Sequence, residues 1–245
     1  MNKREKLHAL VLARRDINEA DRLVTLFSRQ QGLLRVLAKG VRRIPSRRGG
    51  HLEPLTYVLA IVTGTADRKY LAAVETVDDH LALRGDVQAW EHAEMLARLV
   101  LGLFEEEEVQ VELFDALYHA CQMFPELPAP KRDFLEVAVA GYALRCAGLQ
   151  PDLNRCQACG RNQPDEAVIL NPQAGGWRCL SCHDSFVGTQ LSLPPRLLRA
   201  LRWLGRYPQK ALQLSATKEE SRQVLAAMRY YAMVVAETVP MVRTT

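Results

Sequence analysis

The sequence predicts an α+β multidomain protein, with a small β-barrel at its N-terminus and a helical domain interrupted by a cysteine-rich insert. Three observations predict it. Short apolar runs bounded by turn residues fill the first 80 positions. Beyond them the apolar period changes from that of strands to that of helices. Two Cys-x-x-Cys pairs then fall in a stretch with little periodicity of either kind. The expected division is 1–80 for the barrel, 81–149 with 191–245 for the helical domain, and 150–190 for the insert.

Five runs carry the barrel: Leu7–Ala13, Arg22–Ser28, Leu33–Gly40, Leu55–Thr63 and Tyr70–Val77. Turn chemistry separates them at Asp16-Ile17-Asn18, Gln30-Gln31-Gly32, Ile44–Gly50 and Gly64–Asp67. In the fourth run Leu55, Tyr57, Leu59 and Ile61 share a face at a period of two residues. Five strands in so short a stretch point to an OB-fold, whose plan is a five-stranded Greek-key barrel; an SH3-like barrel fits the pattern as well. Tyr57, Tyr70 and Phe27 are expected in the core.

The helical domain shows three apolar stripes: Leu96, Leu99, Val100 and Leu103; Leu113, Leu117, Cys121 and Phe124; Phe134, Val137, Gly141 and Leu144. Pro125, Pro128 and Pro130 are expected to break the chain before the third stripe. Cys121 and Cys146 sit at core positions and read as packing residues. Two further helices are expected, near 194–206 and 217–237, the second opened by a Thr217-x-x-Glu220 capping box.

Charge is distributed unevenly. Residues 1–80 carry 15 Lys and Arg against 9 Asp and Glu, residues 81–150 carry 5 against 12, and residues 151–245 carry 12 against 7. Basic ends around an acidic middle suggest a polyanionic partner for the ends. The Glu105–Glu108 run reads as a solvated helix junction that repels DNA and turns the central segment away from it or toward protein partners. No apolar run is long enough to span a membrane, and the N-terminus does not read as a signal peptide, so a cytoplasmic protein is expected.

Cys156-x-x-Cys159-Gly160 and Cys179-x-x-Cys182 suit one tetrahedral zinc ion. Four protein ligands leave no place for water, which makes the expected zinc structural. Gly160 fits the sharp turn after the second ligand. Ala167–Leu170 and Gly175–Arg178 read as a hairpin between the pairs, giving a ribbon-like knuckle. Cys179-x-x-Cys182-His183 also matches a haem-attachment signature, but that reading leaves Cys156 and Cys159 without a role.

Arg35, Lys39, Arg42, Arg43, Arg47 and Arg48 lie in a window that holds no acidic residue. They run from a strand into a glycine-containing loop, where backbone can approach phosphate closely and the cations supply charge. Arg196, Arg199, Arg202 and Arg206 line one arc of a predicted helix, opposite Leu197, Leu198, Leu201 and Leu204, and form a second candidate DNA-binding face. Aromatic residues are only 7% of the chain, which favours sequence-tolerant binding of backbone over reading of bases. Phosphate-loop, dinucleotide, zinc-protease and nucleophile-elbow motifs are absent, which points away from an enzyme. Two rivals remain: an RNA-binding zinc-ribbon factor and a zinc-dependent enzyme.

The chain resembles the bacterial RecO family over nearly its whole length. The marks are Glu19–Ser28, Gln31-Gly32-Leu33, Ala38–Arg43, Ser46-Arg47, Leu52–Leu55, Cys156-x-x-Cys159-Gly160 and Gly175-Gly176-x-x-Cys179-x-x-Cys182 with the leucine-rich helix after it. The resemblance implies an OB-fold, a helical domain and a zinc knuckle. It implies binding of single- and double-stranded DNA, annealing of complementary strands, and action with RecR to load RecA onto DNA coated by single-strand-binding protein. The family's basic segment maps onto Lys39, Arg42, Arg43 and Arg47. The acidic tail of single-strand-binding protein is expected on the helical domain, without an assignable pocket.

Overall fold

A computed structural model describes residues 3–41, 49–65, 68–182 and 192–238. The chain divides into two compact units, Met1–Pro125 and Glu126–Thr245.

The first unit begins with a closed five-stranded barrel: β1 (Lys3–Asp16), β2 (Arg22–Ser28), β3 (Gly32–Ala38), β4 (Tyr57–Gly64) and β5 (Lys69–Asp78), in the order β1-β2-β3-β5-β4. This is the OB-fold arrangement. The long β1 serves two neighbours. Lys3–Leu10 pair with β4, and Ala9–Asp16 pair with β2. An irregularity between Val11 and Ala13 bends the strand just beyond the end of its pairing with β4. A short parallel pairing of β3 with β5, Val36 to Lys69 and Leu37 to Tyr70, closes the ring.

The interior of a small barrel takes small and branched side chains. Leu7, Ala9, Val11, Val24, Leu26, Leu34, Val36, Val58, Ala60 and Val62 fill it. Of the face singled out by its period of two, Tyr57, Leu59 and Ile61 lie on β4, where theirs is the outer face and only half-buried. Three helices complete the unit: α1 (Leu81–Gly85), α2 (Val87–Leu103) and α3 (Val111–Met123). Helix α3 covers part of the outer barrel surface. Phe114 lies 5.7 Å from the Phe27 ring and 6.1 Å from Tyr57, and Tyr118 lies 4.5 Å from Tyr57. Arg29 of the barrel donates to both carboxylate oxygens of Asp115, at 2.8 and 3.0 Å. Phe27 is fully buried, while Tyr57 and Tyr70 are half-buried and lie outside the interior.

The second unit holds α4 (Ala129–Cys146), α5 (Pro195–Arg206) and α6 (Lys218–Thr238), with a four-stranded sheet of order β6-β8-β7-β9: β6 (Asp152–Cys156), β7 (Val168–Asn171), β8 (Gly176–Cys179) and β9 (Ser192–Leu193). The helices expected to form one domain are thus divided, α1–α3 in the first unit and α4–α6 in the second. Pro130 does not break the chain. It occupies the first turn of α4, where its missing N–H is no loss. The expected stripes are buried, Cys121 among them, except for half-buried Gly141. The capping box forms: Thr217 Oγ1 accepts from the Glu220 N–H, and Glu220 accepts from the Thr217 N–H at 2.8 Å. Buried polar ties join α4 to α6. Ser221 donates to Asp133 at 2.6 Å, and Arg229 donates to both oxygens of buried Glu136.

Gly32 tests the barrel packing. Its φ is +69°, and a Cβ there would lie 2.0 Å from the Glu108 carbonyl oxygen. Gly32→Ala should destabilise the first unit by more than about 1 kcal/mol, read as a lower urea midpoint.

Candidate metal centre and nucleic-acid interface

Strands β7 and β8 form the expected antiparallel hairpin, with Ile169 opposite Arg178 and Leu170 opposite Trp177. Trp177 is fully buried, and its Nε1 donates to the Leu153 carbonyl at 3.0 Å. One end of the hairpin delivers Cys179 and a single 3₁₀ turn to Cys182. Cys156 ends β6, and the turn after it delivers Cys159. Gly160 takes a φ of +75°, and its N–H donates to the Cys156 carbonyl at 3.0 Å.

The Sγ atoms of Cys156, Cys159, Cys179 and Cys182 lie within 4.8 Å of one another, with Cys159 and Cys179 at 3.9 Å. Four sulfurs around a tetrahedral ion at about 2.3 Å stand about 3.8 Å apart. The cluster therefore has the spacing to hold one metal ion through four sulfurs. Backbone N–H groups prepare the site for thiolate. Burial works to raise the Cys156 thiol, yet the N–H groups of Cys159, Cys179 and Ala158 outweigh it and bring that group down to about 6. Cys179 is pushed up to about 12 by burial and by hydrogen bonds to Cys156 and Cys159. Cys182 is raised by its hydrogen bond to Cys159 and then by burial. Four thiols this close resist ionising together unless a cation joins them. Among the described residues, Cys121 and Cys146 are not part of the cluster. Burial pushes the Cys121 thiol up to about 12, as suits a packing residue.

Arg35 is exposed on β3, with its Nε 3.2 Å from Glu106. Lys39 is exposed just after β3, its ammonium 4.7 Å from the centre of the Tyr70 ring. Arg42, Arg43, Arg47 and Arg48 lie outside the described residues. Sequence reasoning missed two members of this neighbourhood. The seam pairing sets Lys69 beside Val36 and Tyr70 beside Leu37, between Arg35 on β3 and Lys39 just after it. The consecutive Arg68-Lys69-Tyr70 after a turn was the available signal.

On α5, Arg196, Arg199 and Arg206 are exposed. Arg196 pairs with Glu220, and Arg206 lies over the Tyr207 ring at 5.7 Å. Arg202 departs from its expected role. Its guanidinium turns to the sheet, donates to the carbonyls of Leu153, Asn154 and Asn162, and lies 5.7 Å from the Trp177 ring. These bonds engage Nε and Nη2, so Arg202 fastens α5 to the cysteine-bearing sheet.

Comparison with known proteins agrees in both halves. Residues 1–80 match the model of the recombination protein O N-terminal domain, and residues 84–234 match that of its C-terminal domain. The chain is similar to the DNA repair protein RecO of Desulforamulus reducens, 27% identical over 225 residues, which cover 91% of this chain and 86% of that one. It is also similar to the DNA repair protein RecO of Anaeromyxobacter dehalogenans strain 2CP-C, 36% identical over 184 residues, covering 73% and 70%. The DNA repair protein RecO of Roseiflexus sp. is 29% identical over 231 residues, covering 91% and 78%.

The two arginines of α5 should separate in a stability measurement. Arg202→Ala should lower the unfolding free energy of the second unit by about 2 kcal/mol, because it strips three carbonyls of a charged donor. Arg199→Ala should change it by less than about 0.5 kcal/mol. Urea denaturation of each variant reads the difference.

Proposed function

The chain belongs to the recombination protein O (RecO) family, and from that membership we propose that it is a non-enzymatic mediator of recombinational DNA repair. In this reading it binds single- and double-stranded DNA, anneals complementary strands, and acts with RecR to help load RecA onto DNA coated by single-strand-binding protein. It works in the cytoplasm; among the described residues no helix is long and apolar enough to cross a membrane. The observation that carries the reading is the acid-free run of six cations from Arg35 to Arg48, which starts on β3 of an OB-type barrel.

Annealing needs no catalytic group. Two strands repel because each carries a charge per nucleotide. A protein that neutralises phosphates on both lowers that repulsion and raises their local concentration. Arg35 and Lys39 do this on the barrel, together with Arg42, Arg43, Arg47 and Arg48, which follow them in the sequence. Arg196, Arg199 and Arg206 form a second basic face on α5. For the acidic tail of single-strand-binding protein, the second unit offers a cleft lined by Val137, Tyr142, Leu201 and Met228, with exposed Arg145 at its rim. An apolar floor beside a cation suits an acidic chain end.

The metal is proposed to be zinc. A four-thiolate set matches its borderline softness and tetrahedral habit. When bound, it supplies a closed cross-link and no reactive position. The cysteines hold it, the N–H groups of Ala158 and Cys179 polarise toward the Cys156 sulfur at 3.5 and 3.4 Å, and Trp177 and Arg202 brace the sheet behind them.

With about five phosphates neutralised, affinity for a single strand should fall with the logarithm of salt at a slope near −3.5. Charge reversal of Arg35 with Lys39, or of Arg42 with Arg43, should flatten that slope and slow annealing; an unchanged slope contradicts the assignment. Chelation should unfold residues 150–185 and leave binding by the barrel. Complete loss of DNA binding in a folded Cys179→Ala variant would contradict a structural role. Competition between single-stranded DNA and RNA separates this reading from an RNA-binding factor. An annealing assay with single-strand-binding protein, run with and without RecR, tests the mediator role itself.

A further inference from the structure

The basic seam of the barrel already has occupants. After α2 the chain returns along the barrel. The Glu107 N–H donates to the Leu33 carbonyl at 2.9 Å, and Glu106 forms an isolated parallel bridge with Leu33. This contact lies at the start of β3, ahead of Val36 and Leu37, where the pairing with β5 occurs. The fit is tight enough to require glycine opposite, as the approach of Glu108 to Gly32 shows. The backbone thus fixes the segment, and two carboxylates reach the cations. Glu106 pairs with Arg35 and Glu107 pairs with Lys69. Across the seam Lys69 is the backbone partner of Val36, the residue that follows Arg35. Both carboxylates are exposed, at 44% and 53% of their side-chain surface. The acidic run was expected to repel DNA and to turn the central segment away from it or toward protein partners; Glu106 instead pairs with Arg35, one of the cations proposed to hold DNA.

We propose that Lys69 joins Arg35 in the polyanion-binding face, and that Glu106 and Glu107 hold the positions two phosphates take when nucleic acid binds. The inference rests on the DNA-binding reading above. A carboxylate and a phosphodiester offer a guanidinium or ammonium the same chemistry: anionic oxygens that accept charge-assisted hydrogen bonds. The tethered carboxylates are always present, so an isolated anion gains little by replacing one of them. The Arg35–Glu106 pair is exposed on both sides and weak, and in the second pair the Glu107 carboxylate is exposed although Lys69 is largely covered. A strand that brings several phosphates at once displaces both at small cost. The segment therefore sets specificity, favouring extended polyanions over single phosphates, and it weakens binding to short stretches.

The test is equilibrium binding of a labelled single-stranded oligonucleotide to the full chain at low salt. Glu106→Gln with Glu107→Gln should bind about five-fold more tightly. Glu105→Gln with Glu108→Gln removes the same charge from the same segment, and should gain less than about two-fold. In a background of Arg35→Gln with Lys69→Gln, the Glu106 and Glu107 changes should gain nothing. A tighter complex cannot come from misfolding, and matched urea midpoints confirm that the weaker variants are folded. Equal gains in the two charge-matched variants would overturn the inference, as would a gain that persists without Arg35 and Lys69. Binding by the unaltered chain with no selective gain sinks the inference alone, whereas no binding at all sinks the DNA reading with it.

Discussion

Two residue pairs close the barrel: Val36 with Lys69, and Leu37 with Tyr70. Every other strand contact in it is antiparallel and could exist in an open sheet. This short parallel seam makes an inside and an outside. Inside, width is limited, so Val, Ala and Leu fill the space. Outside, larger side chains need a second layer, and α3 provides it over Phe27 and Tyr57. The seam also decides what lies beside the basic end of β3. It pairs Lys69 with Val36, the residue after Arg35, and sets the Tyr70 ring under Lys39, so closing the barrel also fixes what lies around the first two cations of the basic run.

The second unit solves a different problem. Residues 152–182 form a sheet of very short strands around one large buried side chain, Trp177. So small a core stabilises little by apolar burial. Four converging sulfurs offer a cross-link in its place. Arg202 then fastens the sheet to α5 through three carbonyls and the Trp177 ring. The Glu136–Arg229 and Asp133–Ser221 pairs do similar work between α4 and α6, where burial makes an unpaired charge costly.

Much of this was legible in the sequence where a local rule applied. Strand ends followed turn residues, and Gly32 and Gly64 both take positive φ at a strand boundary. The cysteine spacing pointed to all four members of the sulfur cluster, because two tight turns suffice to converge them. What could not be read depended on partners distant in sequence. In β4 both faces are apolar, and period alone cannot tell a barrel interior from an outer face covered by a helix. The α5 arginines look alike in spacing, and only the carbonyls of residues 153–162 make Arg202 different. For Glu105–Glu108 the sign of the charge was evident, but the pairing with Arg35 and Lys69 appears only once the chain folds back over β3. Tyr70 was expected in the core for the same reason: its position follows from the seam.

The account comes down to cations near the barrel seam that hold a nucleic-acid backbone and break no bond. Incubation of the purified full chain with an end-labelled single-stranded oligonucleotide at low ionic strength, followed by native and then denaturing gels, tests this most directly. The account predicts a saturable complex on the first gel and a strand of unchanged length on the second. Free oligonucleotide at every protein concentration, or a shortened strand, would contradict it.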